Sequence, residues 1–215
     1  PVKIKDKFGY INTSGELVIP AKYSWAYPFS EGRAFVIKND YKELIDANGN
    51  TIVKYKDDLE RENFSDGYAI IRRNDKYGYI NKSGKVVIKP SSKWYQVESF
   101  SEGLASYWVG PTTFENAYGY INKKGKIVIK PSYGQAFQFS DGLACVQDGK
   151  TYKYGFINKK GKKVIKCTYD YALNFKNGLA CVMKNGKSYM IDKKGKTITI
   201  KSVSYTHLTL PTTSR

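Results

Sequence analysis

The chain has 215 residues, of which 41% are hydrophobic and 15% aromatic, and this composition excludes a disordered polar chain and predicts a substantial core. No apolar run approaches the roughly 20 residues that a membrane-spanning helix needs. The chain carries 36 Lys and Arg residues against 19 Asp and Glu residues, and the resulting net charge of +17 excludes a charge-balanced surface and favours anionic partners.

Two short motifs recur in step along the chain. The first ends in a turn glycine, as in YGYINKKG, and successive turn glycines lie 34 to 41 residues apart. The second, F-S-[ED]-G or a close variant, follows the first at a regular distance. A fixed period of this length indicates a repeat protein. The turn glycines are Gly15, Gly49, Gly84, Gly125, Gly161 and Gly195, and the marker phenylalanines are Phe29, Phe64, Phe100, Phe139 and Phe175.

Each copy of the first motif predicts a β-hairpin, because aromatic and β-branched runs flank the turn and proline ends the second run in several copies. Asn122 is expected to accept hydrogen bonds within its turn, and Gly125 to adopt a positive φ without steric cost. After the turn, the second position of the apolar run stays apolar in every copy, which predicts that it points into the core. These residues are Val18, Ile52, Val87, Val128, Val164 and Ile198.

A third strand is predicted after each F-S-[ED]-G turn, as in LACV at 143–146. Three short strands cannot bury their apolar face alone, so neighbouring copies are expected to complete one another's core. The predicted fold class is all-β, with tandem hairpin or meander repeats of about 35 residues forming either propeller-like blades or an open curved array. The expected array spans 1–201, with a partial copy at 1–6, repeats at about 7–41, 42–75, 76–116, 117–152 and 153–187, and a partial copy at 188–201.

The scheme G-Y-I-N-K-K-G-K-I-V-I-K-P followed by F-S-[ED]-G-L-A resembles the bacterial WG repeat family, also called KWG, over essentially residues 1–201. The resemblance implies an all-β scaffold and no assigned reaction. The Trp-Gly dipeptide of the family is replaced here by another aromatic residue and glycine, so a ring is retained at that position. The replacements are Phe8-Gly9, Tyr77-Gly78, Tyr118-Gly119 and Tyr154-Gly155.

Two copies depart from this pattern. The second contains the charged run 56–62, with Asp58 where other copies carry an aromatic anchor, and we interpret this run as a solvated connector. The third ends in an expanded loop at 107–116, and such insertions often lie on a binding face. Trp108 is therefore a candidate contact residue, with half-buried loop packing as the alternative.

No recognised catalytic, phosphate-binding or metal-binding motif occurs in the sequence. One acid recurs in the second motif of successive copies, which favours a role in turn hydrogen bonding over a role in a single active site. The cysteines lack Cys-x-x-Cys spacing and are expected to be small core residues. We therefore expect a non-enzyme without cofactor or metal. The recurring acids are Glu31, Asp66, Glu102 and Asp141, and the cysteines are Cys145, Cys167 and Cys181.

Lysines crowd the hairpin tips of the later copies, and stacked copies are expected to set these tips in a row. The resulting field would attract an anionic polymer or surface, whereas specific nucleic-acid recognition is not expected because no DNA- or RNA-binding motif is present. A solvated lysine surface without a partner is the alternative interpretation. The candidate binding residues are Lys123, Lys124, Lys126, Lys159, Lys160, Lys162, Lys193 and Lys194, together with Trp108.

Two functions follow from these features. The favoured one is a non-catalytic repeat scaffold that binds a protein or an anionic polymer. The alternative is a non-catalytic ancillary region of a larger enzyme or cell-surface protein, including one directed at carbohydrate through exposed Tyr and Trp. The chain opens at Pro1 rather than Met, so the cell surface and the cytoplasm are both compatible with the sequence, and the oligomeric state is unknown.

The segment 202–215 leaves the repeat pattern. The string VSYTHLTLPT at Val203–Thr212 can be read from the codons GTC TCT TAT ACA CAT CTG ACG CTG CCG ACG, which resemble a transposase sequencing adaptor. We interpret this tail as non-native and exclude it from the repeat array. His207, the single histidine of the chain, lies within it.

Overall fold

The computed structural model describes residues 1–55, 63–111 and 117–198, and its regular structure in these ranges consists of antiparallel β-strands. The strands form six successive sheets, in each of which strands that are adjacent in sequence are also hydrogen-bonded neighbours. This arrangement confirms the predicted all-β tandem repeat. The charged run with Asp58, part of the expanded loop and the tail with His207 lie outside the described residues.

The first three sheets lie in the N-terminal half of the chain. Sheet one contains β1 (Val2–Ile4), β2 (Lys7–Ile11) and β3 (Leu17–Tyr23). Sheet two contains β4 (Trp25–Ala26), β5 (Arg33–Lys38), β6 (Tyr41–Asp46) and β7 (Thr51–Tyr55). Sheet three contains β8 (Tyr68–Arg73), β9 (Lys76–Asn81) and β10 (Val86–Ser91).

The last three sheets have four strands each. Sheet four contains β11 (Gln96–Val97), β12 (Leu104–Trp108), β13 (Tyr118–Asn122) and β14 (Ile127–Tyr133). Sheet five contains β15 (Gln135–Ser140), β16 (Leu143–Gln147), β17 (Tyr154–Asn158) and β18 (Lys163–Tyr169). Sheet six contains β19 (Tyr171–Ala172), β20 (Leu179–Lys184), β21 (Lys187–Asp192) and β22 (Thr197–Ile198).

The hydrophobic core is divided into five clusters, each built by two successive sheets. Alternation along β16 shows how: Ala144 and Val146 pack against sheet four, whereas Cys145 packs against sheet six. Within the described residues no core cluster and no strand pair joins sheet one to sheet six. Each sheet therefore completes the core of the next, as the size of the repeat predicts.

The marker phenylalanines of the later repeats lie between sheets. Phe139 is 1% exposed, and its ring packs edge-on against Tyr120 of the preceding sheet at 5.0 Å. The Tyr120 hydroxyl donates a hydrogen bond of 2.7 Å to the carbonyl oxygen of Phe137. The buried tyrosine thus finds a partner in the first strand of the next sheet. Phe64, Phe100 and Phe175 are also buried, whereas Phe29 is half-buried.

The glycine of the aromatic-glycine dipeptide lies where two strands approach closely. Tyr118 pairs with Tyr133 and Tyr120 pairs with Ile129, so several residues of β14 cross opposite Gly119. A Cβ atom on Gly119 would lie 2.5 Å from the carbonyl oxygen of Ile129. Only glycine fits at this crossing, because the clash would be with backbone. Gly9, Gly78 and Gly155 meet the same obstruction.

Sheet two lacks this strand crossing and carries a side chain at the position of the motif glycine. Its β7 pairs regularly with β6 at this point, Lys42 with Tyr55 and Glu43 with Lys54. Glu43 occupies the motif-glycine position and is buried, with Lys54 at 3.2 Å and a hydrogen bond from the Thr51 hydroxyl at 2.8 Å. A side chain is therefore tolerated where the partner strand is short and regular.

The predicted inward face of the hairpins is wrong in every sheet except sheet two. Val128 is 42% exposed, whereas its neighbour Ile129 is buried. Tyr120 pairs with Ile129 and Ile121 pairs with Ile127, so Val128 is the extra residue of a β-bulge. The bulge reverses the alternation on which the prediction rested. Ile52 is half-buried and packs against the core between sheets two and three, as predicted. The misassigned residues are exposed, namely Val18, Val87, Val128, Val164 and Ile198.

Candidate binding surfaces

An Asn or Asp side chain closes the turn at each hairpin tip. In sheet four, Asn122 Oδ1 accepts hydrogen bonds from the backbone N–H groups of Lys124 at 3.0 Å and Lys126 at 3.1 Å. Gly125 has a φ of +71° and donates its N–H to the Asn122 carbonyl oxygen at 2.8 Å. These bonds hold the loop in the compact form expected of N-K-K-G. Gly15, Gly84 and Gly161 also have positive φ.

The two ends of the strands form two distinct faces. Successive turns of a meander alternate between the ends, so the F-S-[ED]-G turns and the hairpin tips share one end, here named the tip face. The other end, here named the loop face, carries the turns between the second and third strands and the connectors between sheets. A contact between Lys123 at a tip and Asp66 in an F-S-D-G turn confirms that these two kinds of turn lie together.

The recurring acid of each F-S-[ED]-G turn binds the following sheet, an arrangement here named the acid clasp. Asp66 Oδ2 accepts a hydrogen bond from the N–H of Gly103, and Asp66 Oδ1 lies 2.7 Å from Lys123 Nζ. The adjacent Ser65 hydroxyl donates to the Phe100 carbonyl oxygen at 2.7 Å. Equivalent bonds join Glu31 to Gly67 and Lys82, Glu102 to Gly142 and Lys159, and Asp141 to Gly178.

Two of the acid clasps, those of Asp66 and Glu31, lower the pKa of their carboxyl groups. Partial burial alone raises the pKa of Asp66, but the hydrogen bonds from Lys123 and Gly103 lower it by more, so the pKa of this carboxyl lies below its ordinary value. The pKa of Glu31 is lowered in the same way, because hydrogen bonds from Lys82 and Gly67 outweigh the effect of burial. Both carboxyl groups therefore carry a charge at neutral pH.

The eight tip lysines that the sequence predicts as binding residues fall into two groups. Lys123 and Lys159 form ion pairs of 2.7 and 3.1 Å with Asp66 and Glu102, and they belong to the acid clasps. The others are exposed, and in the described parts of the chain none has a carboxylate within ion-pair distance. These residues, here named the free tip lysines, are Lys124, Lys126, Lys160, Lys162, Lys193 and Lys194.

Trp108 lies at the end of β12 and is half-buried. Its ring stacks on Tyr118 at 6.2 Å and contacts Tyr95 edge-on at 4.9 Å. Tyr95, which the sequence pattern does not single out, is 60% exposed and presents more ring surface to solvent than its neighbours. The aromatic group as a whole, rather than Trp108 alone, is available for contact.

A cleft of about 470 Å³ lies beside this aromatic group, and sequence reasoning missed it. It is formed by the residue after β11, the start of β13, the first strand of sheet five and the segment after β19. No motif marks it, because its residues come from three copies and the counterparts of Phe137 in the other copies are not Phe. The main side chains that line it are Glu98, Tyr118, Gln135, Phe137, Gln138 and Asn174.

Other reactive groups do not converge. Across residues 1–55, 63–111 and 117–198, no three His, Cys, Asp or Glu side chains lie together in a way that could hold a metal ion. The three cysteines are free, and burial raises the pKa of the Cys145 thiol to about 12. Among the described residues there is no helix with the length and apolar character to cross a membrane.

Comparison with solved structures supports a propeller-like fold. Hsv2 of Kluyveromyces lactis matches with a TM-score of 0.53 and 9% sequence identity, over 81% of this chain and 63% of Hsv2. A eukaryotic initiation factor matches with a TM-score of 0.52 and 12% identity, over 74% of this chain and 48% of the factor. The chain thus spans less than two thirds of either protein, and at these identities the similarity concerns the fold alone. No curated protein matches the sequence.

The sequence also matches a family model described as a WG-containing repeat. Five segments match, at 8–41, 44–77, 77–107, 118–152 and 154–187. They cover most of the chain, and each contains a strand-turn-strand hairpin of the kind seen in the sheets. The chain belongs to the WG repeat family.

Proposed function

We propose that this WG-repeat chain is a non-catalytic scaffold whose tip face binds an anionic polymer. The observation that carries the proposal is the group of free tip lysines on sheets four to six, exposed on one face and without carboxylate partners among the described residues. The acid clasps fix the spacing of this group, because each one joins the F-S-[ED]-G turn of one sheet to the following sheet.

The charge balance of the tip face supports a polymeric anion. In sheets four and five, one tip lysine is neutralised by the preceding acid and further lysines remain exposed. A long anion can contact several tips at once, so each additional contact is intramolecular and gains from a high effective concentration. Displacement of counterions from the polymer adds a favourable term that weakens as salt concentration rises.

The use of the recurring acids supports a non-catalytic role. Glu31, Asp66, Glu102 and Asp141 each accept a hydrogen bond from a glycine N–H of the next sheet. A carboxylate committed to such a bond has fewer lone pairs to offer a substrate. Their recurrence is accounted for by packing between sheets.

The test is binding of long-chain inorganic polyphosphate at several salt concentrations. The variant replaces Lys124, Lys126, Lys160 and Lys162 by Ser. The control replaces four exposed lysines at the opposite, loop-face end of the strands, which lowers the net charge equally. The control lysines are Lys7, Lys93, Lys184 and Lys187.

The tip variant is expected to bind at least about tenfold more weakly than the control. The slope of its log affinity against log salt concentration should be shallower by up to about 4, because up to four ionic contacts are lost. Circular dichroism should show that both proteins remain folded, since exposed turn positions usually change stability by no more than about 0.5 kcal/mol. Equal weakening in the two variants would reduce the effect to net charge, and no binding by the parent at low salt would refute the proposal.

A further inference from the structure

We infer that the cleft at the first strands of sheets four to six is a binding site for a neutral oligosaccharide, separate from the tip face. The cleft has a volume of about 470 Å³, which lies within the range of small-molecule sites in proteins. It is open at the surface, so a chain longer than one sugar can pass through it.

The described lining residues of the cleft differ in charge from the lysine-rich tip face. The chain carries 36 basic residues, yet among the described residues that line this cleft there is neither Lys nor Arg. The charged residue among them is Glu98, and the pKa of the adjacent Tyr118 hydroxyl is raised by burial and by the Glu98 carboxylate. Without a basic side chain among its described lining residues, the cleft offers no charge complement to an anion, whereas an uncharged polyhydroxylated ligand needs none.

The aromatic side chains provide apolar surface for sugar rings. Phe137 is 39% exposed although Ala136 and Phe139 on the same strand are buried. Its ring lies 6.3 Å from that of Tyr154, which lies 5.8 Å from that of Tyr171. Phe137 and Tyr171 are exposed and Tyr154 is half-buried, and the exposed ring faces are surfaces against which the C–H groups of pyranose rings can pack.

The polar side chains supply paired hydrogen-bonding groups. Gln135, Gln138 and Asn174 are exposed, and each offers an amide donor and an amide acceptor. Adjacent hydroxyl groups of a sugar require this combination of donor and acceptor. The Tyr154 hydroxyl donates to Gln135 Oε1 at 3.3 Å, which holds this amide beside the aromatic row.

The site is not a property of the repeat, because its central position differs between copies. Phe137 corresponds to Tyr27 in sheet two, Glu98 in sheet four and Leu173 in sheet six. Its neighbour in the core, Phe139, is by contrast a marker phenylalanine present in five copies. The combination of ring, amides and carboxylate therefore occurs at one place in the described array.

The test is isothermal titration of the whole chain with three probes, cellohexaose, maltohexaose and chitohexaose. Tryptophan fluorescence gives a local readout, since Trp108 stacks on Tyr118, which lines the cleft. At least one probe should bind at concentrations up to about 5 mM and change this fluorescence. Phe137→Ala should weaken that binding by at least about tenfold, and Gln135→Ala should weaken it while keeping all three aromatic rings.

The matched control is Tyr152→Ala, which removes an aromatic ring that is 64% exposed at the loop face. It should leave the affinity unchanged. Absence of binding by all three probes, or equal binding by Phe137→Ala and the parent, would overturn the inference. Polyphosphate binding should be the same in Phe137→Ala and the parent, so failure at the cleft can be distinguished from failure at the tip face.

Discussion

The tip face and the cleft lie on the same sheets, but they differ in how far their residues recur from copy to copy. At the tip face, equivalent positions carry nearly the same residues in successive copies, and most of them bind the neighbouring sheet, as Asp66 and Lys123 do. In the cleft, the position of Phe137 changes in character from copy to copy. Residues repeated in every copy therefore mainly join the sheets, whereas residues that vary give one part of the array a surface that the other copies lack.

Two substitutions on β15 should differ most in their effect on stability. Phe139→Ala should lower the free energy of unfolding by about 3 to 5 kcal/mol, because the ring is 1% exposed and lies between two sheets. Phe137→Ala should change it by less than about 1 kcal/mol, because this ring is 39% exposed. Denaturant unfolding measures both values, and similar losses would contradict the division between packing and binding residues.

The next effect tests the strand crossing. Gly119→Ala should destabilise the fold by about 1 to 3 kcal/mol, because its Cβ would lie 2.5 Å from a backbone oxygen. Glu43→Ala at the equivalent position of sheet two should cost less, since a side chain already fits there. Thermal and denaturant unfolding compare the two variants. A Gly119→Ala protein as stable as the parent would show that the strands can separate without loss.

The acid clasp should have a smaller effect that depends on pH. Asp66→Ala removes the acceptor for Gly103 and Lys123 and should cost about 1 to 2 kcal/mol at pH 7. The folded-state pKa of Asp66 is lowered, so its contribution is present above the unfolded value of about 3.9 and is lost as pH falls through the folded value. Parent and variant should therefore begin to converge in stability as pH falls below about 4, and the difference should vanish below the folded-state pKa of Asp66.

The control for the acid clasp is Asp75→Ala, which breaks an exposed ion pair with Arg72 on the loop face. Such a pair contributes between about 0 and 1 kcal/mol. A difference between parent and Asp66→Ala that stays constant from pH 7 to pH 3 would contradict the role of an ionised carboxylate.

The smallest effect is on reactivity rather than stability. Cys145 and Cys181 occupy equivalent positions, but sheet six covers Cys145, whereas Cys181 is half-buried. Burial raises the pKa of Cys145 to about 12, so its reactive thiolate form is scarce at pH 8. A thiol reagent should label Cys181 quickly and Cys145 only at the rate of unfolding. Equal rates would show that sheet six does not protect sheet five.

Local features of the fold could be predicted from the sequence because a few adjacent residues determine them. The tip turn follows from the hydrogen-bonding capacity of Asn122 and the positive φ of Gly125. The need for neighbouring sheets follows from the small size of one repeat. The prediction of the inward face was wrong because a bulge at Val128 interrupts the alternation of inward and outward side chains. A run of apolar residues does not show where such a bulge lies.

The binding surfaces could be predicted only in part. The lysine-rich tips are visible in the sequence, but the pairing of Lys123 with Asp66 joins residues 57 positions apart and depends on how the sheets stack. The cleft brings together Glu98, Phe137 and Asn174 from three copies, and no spacing within one copy reveals it. The half-buried position of Trp108 likewise depends on Tyr95 and Tyr118.

The central claim is that the tip face is where an anionic polymer binds, and breaking two acid clasps tests it most directly. Asp66→Asn with Glu102→Gln frees Lys123 and Lys159 on the tip face. Asp40→Asn with Asp75→Asn adds the same net charge at the turns of the loop face.

The measurement is the slope of log affinity for polyphosphate against log salt concentration for the parent and both variants. The tip-face variant should bind more tightly than the parent, with a slope steeper by up to about 2, because two more lysines can displace counterions. The loop-face variant should keep the slope of the parent. Equal slopes in the two variants, or no change in the tip-face variant, would contradict the claim.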